Sequence, residues 1–207
     1  MSVVTKSYSV VNPYHLKKLL RVRKAEVSDV NSIFDVAASV GTSKKVSEQG
    51  FLVDDYLSKP YYYKKKIKHW IENLGHMYVA EYDKIYGFMV AYNREEWLRD
   101  NPDWINEVYW NPDFDRSWTE KFIVVDKTAV YADLTGMGIG SLIYKRLLED
   151  LRAEKIEHIF AETIISPQPN FASLQFRKKQ NYSLAGVRYE KYNNKLYTDL
   201  IYHKAAE

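Results

Sequence analysis

The sequence predicts an α/β protein with a mixed, mostly antiparallel central sheet of about seven strands and helices on both faces. Three observations predict it. Seven short stretches carry strand patterning, and between them lie stretches with apolar residues at helical spacing. Two pairs of neighbouring strands are joined by tight turn sequences, Asp83-Lys84 and Asn193-Asn194, as in antiparallel hairpins. One strand, Phe122 to Tyr131, runs through a glycine-rich loop into a long amphipathic helix and on to another strand.

Residues 1–20 read as an N-terminal extension, with a turn at Asn12-Pro13 and a short helix over His15 to Leu20. Residues 21–207 then read as a single domain. Leu20 to Ala25 alternates apolar and charged residues, the period-two pattern of a strand. Ser28-Asp29 suits a helix N-cap; Val30, Ile33, Phe34, Ala37 and Ala38 follow at helical spacing, and Gly41 ends the helix. Residues 42–60 read as a loop with a short apolar piece, Gly50 to Val53, closed by Lys59-Pro60. Tyr61 to Asn73 is a lysine-rich helix with Tyr63, Ile67, Trp70 and Ile71 on one side. His76 to Tyr82 and Ile85 to Tyr92 are the strands of the first hairpin. Residues 94–121 hold eight acids, four bases and six aromatic residues, four of them tryptophans (Trp97, Trp104, Trp110, Trp118), and two prolines interrupt them. That composition predicts an irregular or part-helical insertion too short to be a domain of its own. Phe122 to Tyr131 is rich in β-branched residues. Ile139 to Arg152 is a helix with an apolar stripe of Ile139, Leu142, Ile143, Leu147, Leu148 and Leu151. His158 to Ile165 is a strand, Asn170 to Lys179 a short helix, and Tyr182 to Tyr189 and Leu196 to His203 the closing hairpin.

Composition excludes several function classes. The 207 residues contain no cysteine, so disulfides, thiolate nucleophiles and cysteine-based zinc sites are ruled out. The five histidines show no ligand spacing, and no metal is assigned. Thirty basic residues against 27 acidic ones leave a net charge of +3, weak support for a nucleic-acid partner. The run Tyr61-Tyr-Tyr-Lys-Lys-Lys66 is the sole feature on which such a partner would rest, and it reads better as a solvated lysine face with part-buried rings. No uncharged apolar run approaches the roughly 20 residues that span a bilayer, and Met1 to Leu20 lacks the apolar block of a signal peptide. The expectation is a soluble cytoplasmic protein with no membrane partner.

Chemistry concentrates in one unit. Three of the eight glycines are Gly136, Gly138 and Gly140, in the loop Thr135-Gly-Met-Gly-Ile-Gly-Ser141 between a strand and a helix. Glycine permits positive φ and lets a ligand approach the backbone, while the helix beyond presents unpaired N–H groups and the positive end of its dipole. Together they suit a phosphate. The string Gly-x4-Gly-Lys-Ser/Thr of a P-loop is absent, and the third glycine of a dinucleotide fingerprint falls on Ser141. A nicotinamide dehydrogenase does not fit.

The stretch Thr128-Ala-Val130 followed by Thr135-Gly-Met-Gly-Ile-Gly-Ser-Leu142 resembles the acyl-CoA-binding motif of GNAT-type N-acetyltransferases. Downstream, Asn170-x-x-Ser173-x-x-Phe176-x-x-Lys179-x-Asn181-Tyr182 is similar to a second element of that family. The resemblance spans roughly Leu20 to Lys204. It implies an acyl-CoA N-acyltransferase-like fold, acetyl-CoA as cosubstrate and an amine as acceptor. It places the cosubstrate against Thr128, Ala129, Val130, Thr135, Gly136, Met137, Gly138, Ile139, Gly140 and Ser141, with Asn170, Ser173 and Arg177 as further candidate contacts. Three positions depart from the family pattern. Thr135 stands where Arg or Gln is usual, and Asn181 stands where glycine is usual, a residue that tolerates left-handed backbone. Arg177 stands where many relatives carry a tyrosine that protonates the leaving thiolate.

Acetyl transfer to an amine requires a fixed thioester, a donor to the developing oxyanion, a base for the ammonium and an outlet for the thiolate. The Ala129 or Val130 N–H is the candidate oxyanion donor. Asp126 and Glu162 are the candidate bases, each alternatively a solvated or lysine-paired carboxylate. Four residues before Val130, Asp126 would share the face of Thr128 and Val130. Tyr131 and Tyr182 are the nearest candidate acids, Tyr182 alternatively a core ring. Arg177 would pair with a CoA phosphate or lie in solvent. Asn170 and Ser173 would cap their helix, contact the cosubstrate, or both. The 94–121 insertion would form a pocket for a cationic or aromatic amine, or else a packed lid or dimer contact. Without cysteine, the amine would attack directly in a ternary complex. The competing reading is a non-catalytic acyl-CoA-binding or regulatory module. The acceptor, a small-molecule or peptide amine, is not legible, and the aromatic residues leave room for a homodimer.

Overall fold

Alternate residues of the central strands divide between two core layers, and that division places the helices. The computed structural model describes residues 13–206. Its elements run α1 (Pro13–Leu19), β1 (Arg21–Lys24), α2 (Val30–Val40), α3 (Pro60–Asn73), β2 (His76–Glu81), β3 (Ile85–Asn93), α4 (Arg94–Asp100), α5 (Trp104–Glu107) and β4 (Tyr109–Trp110). There follow β5 (Phe122–Val130), α6 (Ile139–Glu154), β6 (His158–Ser166), α7 (Phe171–Lys179), β7 (Ser183–Tyr192) and β8 (Lys195–Ala205). The strands form one sheet in the order β1-β2-β3-β5-β6-β8-β7-β4. The β5–β6 pair is parallel and the other pairs are antiparallel.

Val79, Phe88, Val90, Val124 and Phe160 enter one layer, where they meet Ile33 and Phe34 of α2 and Ile67 and Trp70 of α3. Their neighbours Tyr78, Met89, Ala91, Val125 and Ile159 enter the other layer, against Leu16 of α1 and Ile143, Leu147 and Leu151 of α6. Strands buried on both faces read as continuous apolar runs, which is why β2 and β3 show little alternation in sequence. The α6 stripe is as expected, with Leu142 and Leu148 partly buried at its flanks. The helix continues to Glu154 and stops at Lys155, which takes a left-handed conformation at φ 55°.

The hairpin turn Asn193-Asn194 has φ values of 48° and 61°, the double left-handed geometry that matches the twist of a two-residue turn. At the start of α3, Pro60 occupies the first turn, Tyr61 and Tyr62 are exposed and Tyr63 is buried. Lys64 and Lys66 lie over the rings of Phe34 and Trp70 at 4.9 and 5.4 Å. The extension forms its helix from Pro13, two residues earlier than expected, and buries Leu16 and Leu20 on the sheet. The part before Pro13, with Asn12 of the expected turn, lies outside the described residues. No helix among the described residues is long and apolar enough to cross a membrane.

Two local expectations need correction. Asp29 precedes α2 but does not cap it. Its carboxylate instead accepts two bonds from the Arg23 guanidinium, at 2.6 and 2.9 Å, and one from the Glu26 N–H. A buried carboxylate is held better by a forked cation than by one amide. The insertion also supplies an eighth strand, β4, which pairs with β7 at Tyr109–Val187 and Trp110–Gly186. The chains approach closely because Gly186 lacks a side chain; a Cβ there would sit 2.7 Å from the Tyr109 carbonyl oxygen. Two residues are too few for a strand period to register in sequence.

Trp104 anchors the insertion. It is fully buried and meets Trp97, Trp110, Phe122 and Phe160 with ring centroids 5.6–6.1 Å apart. Trp104→Ala is expected to lower unfolding stability by about 3–5 kcal/mol, read as a lower urea midpoint. A loss under about 1 kcal/mol would show the insertion to be a loosely held flap.

Candidate active site

The parallel pair opens the site. β5 and β6 are paired only from Phe122, Ile123 and Val124 to His158, Ile159 and Phe160. Both strands then continue, β5 to Val130 and β6 to Ser166, without further pairing to each other. On its other side β5 stays paired with β3 down to Val130–Gly87. Tyr131 donates its N–H to the Tyr86 carbonyl at 3.2 Å. By alternation Ala129 also faces β3, while Thr128 and Val130 turn their N–H and C=O groups toward the opened wedge. Of the two expected oxyanion donors, the Val130 N–H therefore lies on the open edge and the Ala129 N–H does not.

The register of β3 against β5 shifts at Val90/Ala91, so Asp126 is an extra residue in β5. The shift breaks the alternation: Val124 and Ala129 pack in one layer, Val125 and Val130 in the other. Asp126 therefore does not share a face with Val130. It pairs with Lys127, whose ammonium stands 5.4 Å over the Trp70 ring of α3.

A cavity of about 640 Å³ fills the wedge and extends to the glycine loop. Thr128, Ala129, Val130, Thr135, Gly136, Gly138, Ile139, Gly140, Ser141, Asn170, Ser173 and Arg177 all line it, as do Asp126 and Glu162. Met137 does not; it packs on the α6 layer. Gly136 and Gly138 have φ of 85° and 84°, the left-handed region that favours glycine, and α6 starts with no side-chain cap. A Cβ on Gly136 would meet open space. Gly140 seats α6 closely on Thr128 and Phe176, where a Cβ would lie 3.5 Å from each. The Thr135 hydroxyl donates to the Gln49 carbonyl at 2.8 Å, tying the loop to residues 42–59.

Lys17 was not legible in the sequence. Its ammonium lies 3.0 Å from where a Cβ on Gly138 would stand, so α1 lays a cation on the loop that lacks one at Thr135. Only the packing of α1 reveals it.

Asn170 caps α7, accepting the Ser173 N–H at 3.2 Å and donating to the Phe51 carbonyl at 2.9 Å. Asn181 takes φ 58°, so the turn after α7 keeps its shape without glycine. Arg177 is not in solvent: it is 5% exposed, and its Nε–H donates to the Thr163 hydroxyl at 3.3 Å. Tyr182 does not reach the cavity. It is a buried ring of the α6 layer whose hydroxyl accepts from Tyr144 at 2.9 Å, so the acid role expected for it finds no substrate within reach.

Glu162 stands in the wedge with an organised surround. Its carboxylate accepts from the Trp104 indole N–H at 2.6 Å and from Arg188 at 3.2 Å. Burial pushes its carboxyl above the ordinary carboxylate range, while the Arg188 charge and the Trp104 bond pull it back. Arg188 is shared further, with Glu107 at 2.9 Å and Glu190 at 3.3 Å. Asp199, opposite Arg188 on β8, is buried and leaves Oδ2 without a partner. Burial and the charges of Glu162 and Glu190 push its carboxyl up to about 8. The insertion adds Trp97, Arg99, Asp100 and Asn101 to the lining. Its remaining tryptophans pack inward, Trp110 on Phe114 and Trp118 on His158 and His203. Among the described residues no three of His, Cys, Asp and Glu converge to hold a metal ion.

Asp199 has a consequence for stability. In the folded chain its carboxyl keeps the proton up to about pH 8, whereas an unperturbed carboxyl ionises near 3.8. Between those values the unfolded state binds fewer protons, so this group lowers stability as pH rises from about 4 to about 8, with no further loss above. Asp199→Asn carries no titrating proton. Its unfolding free energy is expected to fall less than the parent's between about pH 5 and about pH 8, measured by urea titration. Equal slopes would mean that Asp199 is ionised when folded.

Residues 47–182 match the model of the Acetyltransferase (GNAT) family, about two thirds of the chain. No curated protein sequence matches the chain. Among solved structures, yncA from Salmonella typhimurium, determined with its cofactor acetyl-CoA, aligns over 91% of this chain and 95% of its own at 12% identity and TM-score 0.60. The PaiA N-acetyltransferase from Thermoplasma acidophilum, in complex with coenzyme A, aligns over 90% and 98% at 14% identity and TM-score 0.59. The ribosomal-protein-S18-alanine N-acetyltransferase from Escherichia coli aligns over 91% and 94% at 12% identity and TM-score 0.54. At these identities the likeness is one of fold. The parted strands, the glycine loop at the start of α6 and the family match over both agree: the chain belongs to the GNAT acetyltransferase family.

Proposed function

We propose that the protein transfers the acetyl group of acetyl-CoA to a primary amine, the amine attacking the thioester directly while both are bound. One observation carries the reading: the free edge of β5 and the uncapped start of α6 open on the same cavity. Acetyl-CoA supplies the activated acyl group. The chain's own residues do the rest. Thr128 and Val130 offer backbone donors and acceptors to the pantetheine amides, as an added strand would. The Val130 N–H, which lies on the open edge, is the candidate donor to the oxyanion. The N–H groups at Gly138 to Gly140, the dipole of α6 and Lys17 suit the pyrophosphate.

Glu162 is the stronger candidate base. Burial raises its carboxyl above the ordinary carboxylate range, the direction that makes a carboxylate a better base, and Trp104 and Arg188 hold its orientation. Asp126 is occupied by Lys127. The acceptor enters beside the insertion, where Trp97 offers a ring and Asp100 a charge. The missing cysteine supports direct attack over an acyl-enzyme.

A thermal melt tests the reading. Acetyl-CoA at about 100 times its dissociation constant is expected to add about 2.7 kcal/mol and raise the midpoint by several degrees, with NAD giving no shift. Amine-dependent release of CoA then separates an enzyme from a binding module: a shift without release would favour the module. No shift would end the acetyl-CoA reading.

Lys17→Ala is expected to weaken acetyl-CoA binding about fivefold, the equivalent of about 1 kcal/mol for one charge-assisted contact at an exposed site. The same affinity in parent and variant would remove Lys17 from the phosphate site.

A further inference from the structure

Arg177 is a buried cation without a counter-charge. Its Nε–H donates to the neutral Thr163 hydroxyl, its guanidinium stands over the rings of Phe176 and Tyr182 at 5.7 and 5.3 Å, and Nη1 has no hydrogen-bond partner. None of these neighbours is an anion. A guanidinium at 5% exposure is costly to keep in that state, and it borders the cavity. Thr163 follows Glu162 in β6, and successive strand residues face opposite sides. Glu162 reaches the insertion through Trp104, while Thr163 reaches α7 through Arg177. The wedge thus has a carboxylate on one face and an unpaired guanidinium on the other.

We propose that Arg177 receives the negative charge that develops on the sulfur of acetyl-CoA. The inference rests on the acetyl-transfer reading above. In the step, the amine nitrogen forms a C–N bond to the thioester carbonyl carbon. The C–S bond breaks, and its electron pair goes to sulfur. The proton on nitrogen passes to Glu162 or to a water. The product CoA leaves as a thiolate paired with Arg177 and takes its proton from solvent, so no acid is needed at the sulfur. A phosphate is a poorer occupant. It is strongly hydrated and better served by the exposed loop beside Lys17, whereas a large, weakly hydrated thiolate suits a weakly hydrated guanidinium in a dry pocket.

The test is the acidity of bound CoA. The thiolate is followed by its ultraviolet absorbance as pH is raised over CoA bound to the full chain. A free thiol titrates near about 8.5. Bound to the parent protein, it is expected about one unit lower or more, the effect of a neighbouring opposite charge. Arg177→Lys is expected to keep part of that shift and Arg177→Met to abolish it. The Met variant is also expected to lose about tenfold or more in kcat, with acetyl-CoA affinity changed less than about threefold. Arg177→Gln serves should the Met variant fail to fold, since it removes the charge and keeps a donor for Thr163. A thiol shift that survives in the uncharged variant overturns the inference. So does an equal loss of affinity for CoA, acetyl-CoA and desulfo-CoA with the thiol unmoved, which would make Arg177 a phosphate contact. A parent chain that binds CoA with an unshifted thiol overturns this inference alone. A parent chain that binds no CoA overturns the acetyl-transfer reading and this inference with it.

Discussion

Backbone hydrogen-bonding groups inside a protein must find partners, and the parallel pair β5–β6 meets that demand for three residues only. Beyond Val124 the strands part while each stays bonded on its outer side, β5 to β3 and β6 to β8. The free edge this leaves in mid-sheet is the origin of the site. The extra residue Asp126 in β5 and the separate packing of α7 against β6 accompany the opening. An edge strand on the outside of a sheet invites other chains. Here the free edge lies inside a wedge that opens on the cavity.

Charge is distributed across that wedge in two unlike ways. On the insertion side, Glu107, Glu162 and Glu190 gather on one guanidinium, Arg188, and Asp199 is left to hold its own proton. Trp104 links this cluster to the aromatic core of the insertion, so the orientation of Glu162 depends on how residues 94–121 pack. On the α7 side Arg177 meets the Thr163 hydroxyl, the Tyr182 hydroxyl and ring and the Phe176 ring, all of them uncharged. A site with surplus carboxylate on one face and surplus guanidinium on the other suits a reaction that moves a proton one way and an electron pair the other.

The glycine-loop end of the cavity draws on elements far apart in sequence. The glycine loop supplies shape, α6 supplies the dipole, residues 42–59 brace Thr135, and α1 supplies Lys17. The N-terminal helix is thus tied to the site through both its buried and its charged side chains: Leu16 and Leu20 bury its apolar side, which holds Lys17 over Gly138.

Local pattern determined much of this protein. The period of two in β1, the stripe of α6, the paired asparagines of the last hairpin and the glycines before α6 act over neighbouring residues, so each is legible from the chain alone. The same holds for Asn170 as a cap, since a cap is a contact three residues long. Tertiary structure decided what depends on residues distant in sequence. A bulge in β5 moved Asp126 off the face its spacing assigned, because one inserted residue reverses strand parity. Burial put Tyr182 in the core and left Arg177 shielded from solvent with Nη1 unpartnered, because exposure is set by what packs over a residue. Gly186 admitted a two-residue strand too short to have a period. The pairing of Lys17 with Gly138, of Trp104 with Glu162 and of Arg188 with Glu107 and Glu162 joins residues 26 to 121 positions apart. Side-chain periodicity carries no record of such contacts, and only the closing of the sheet brings them together.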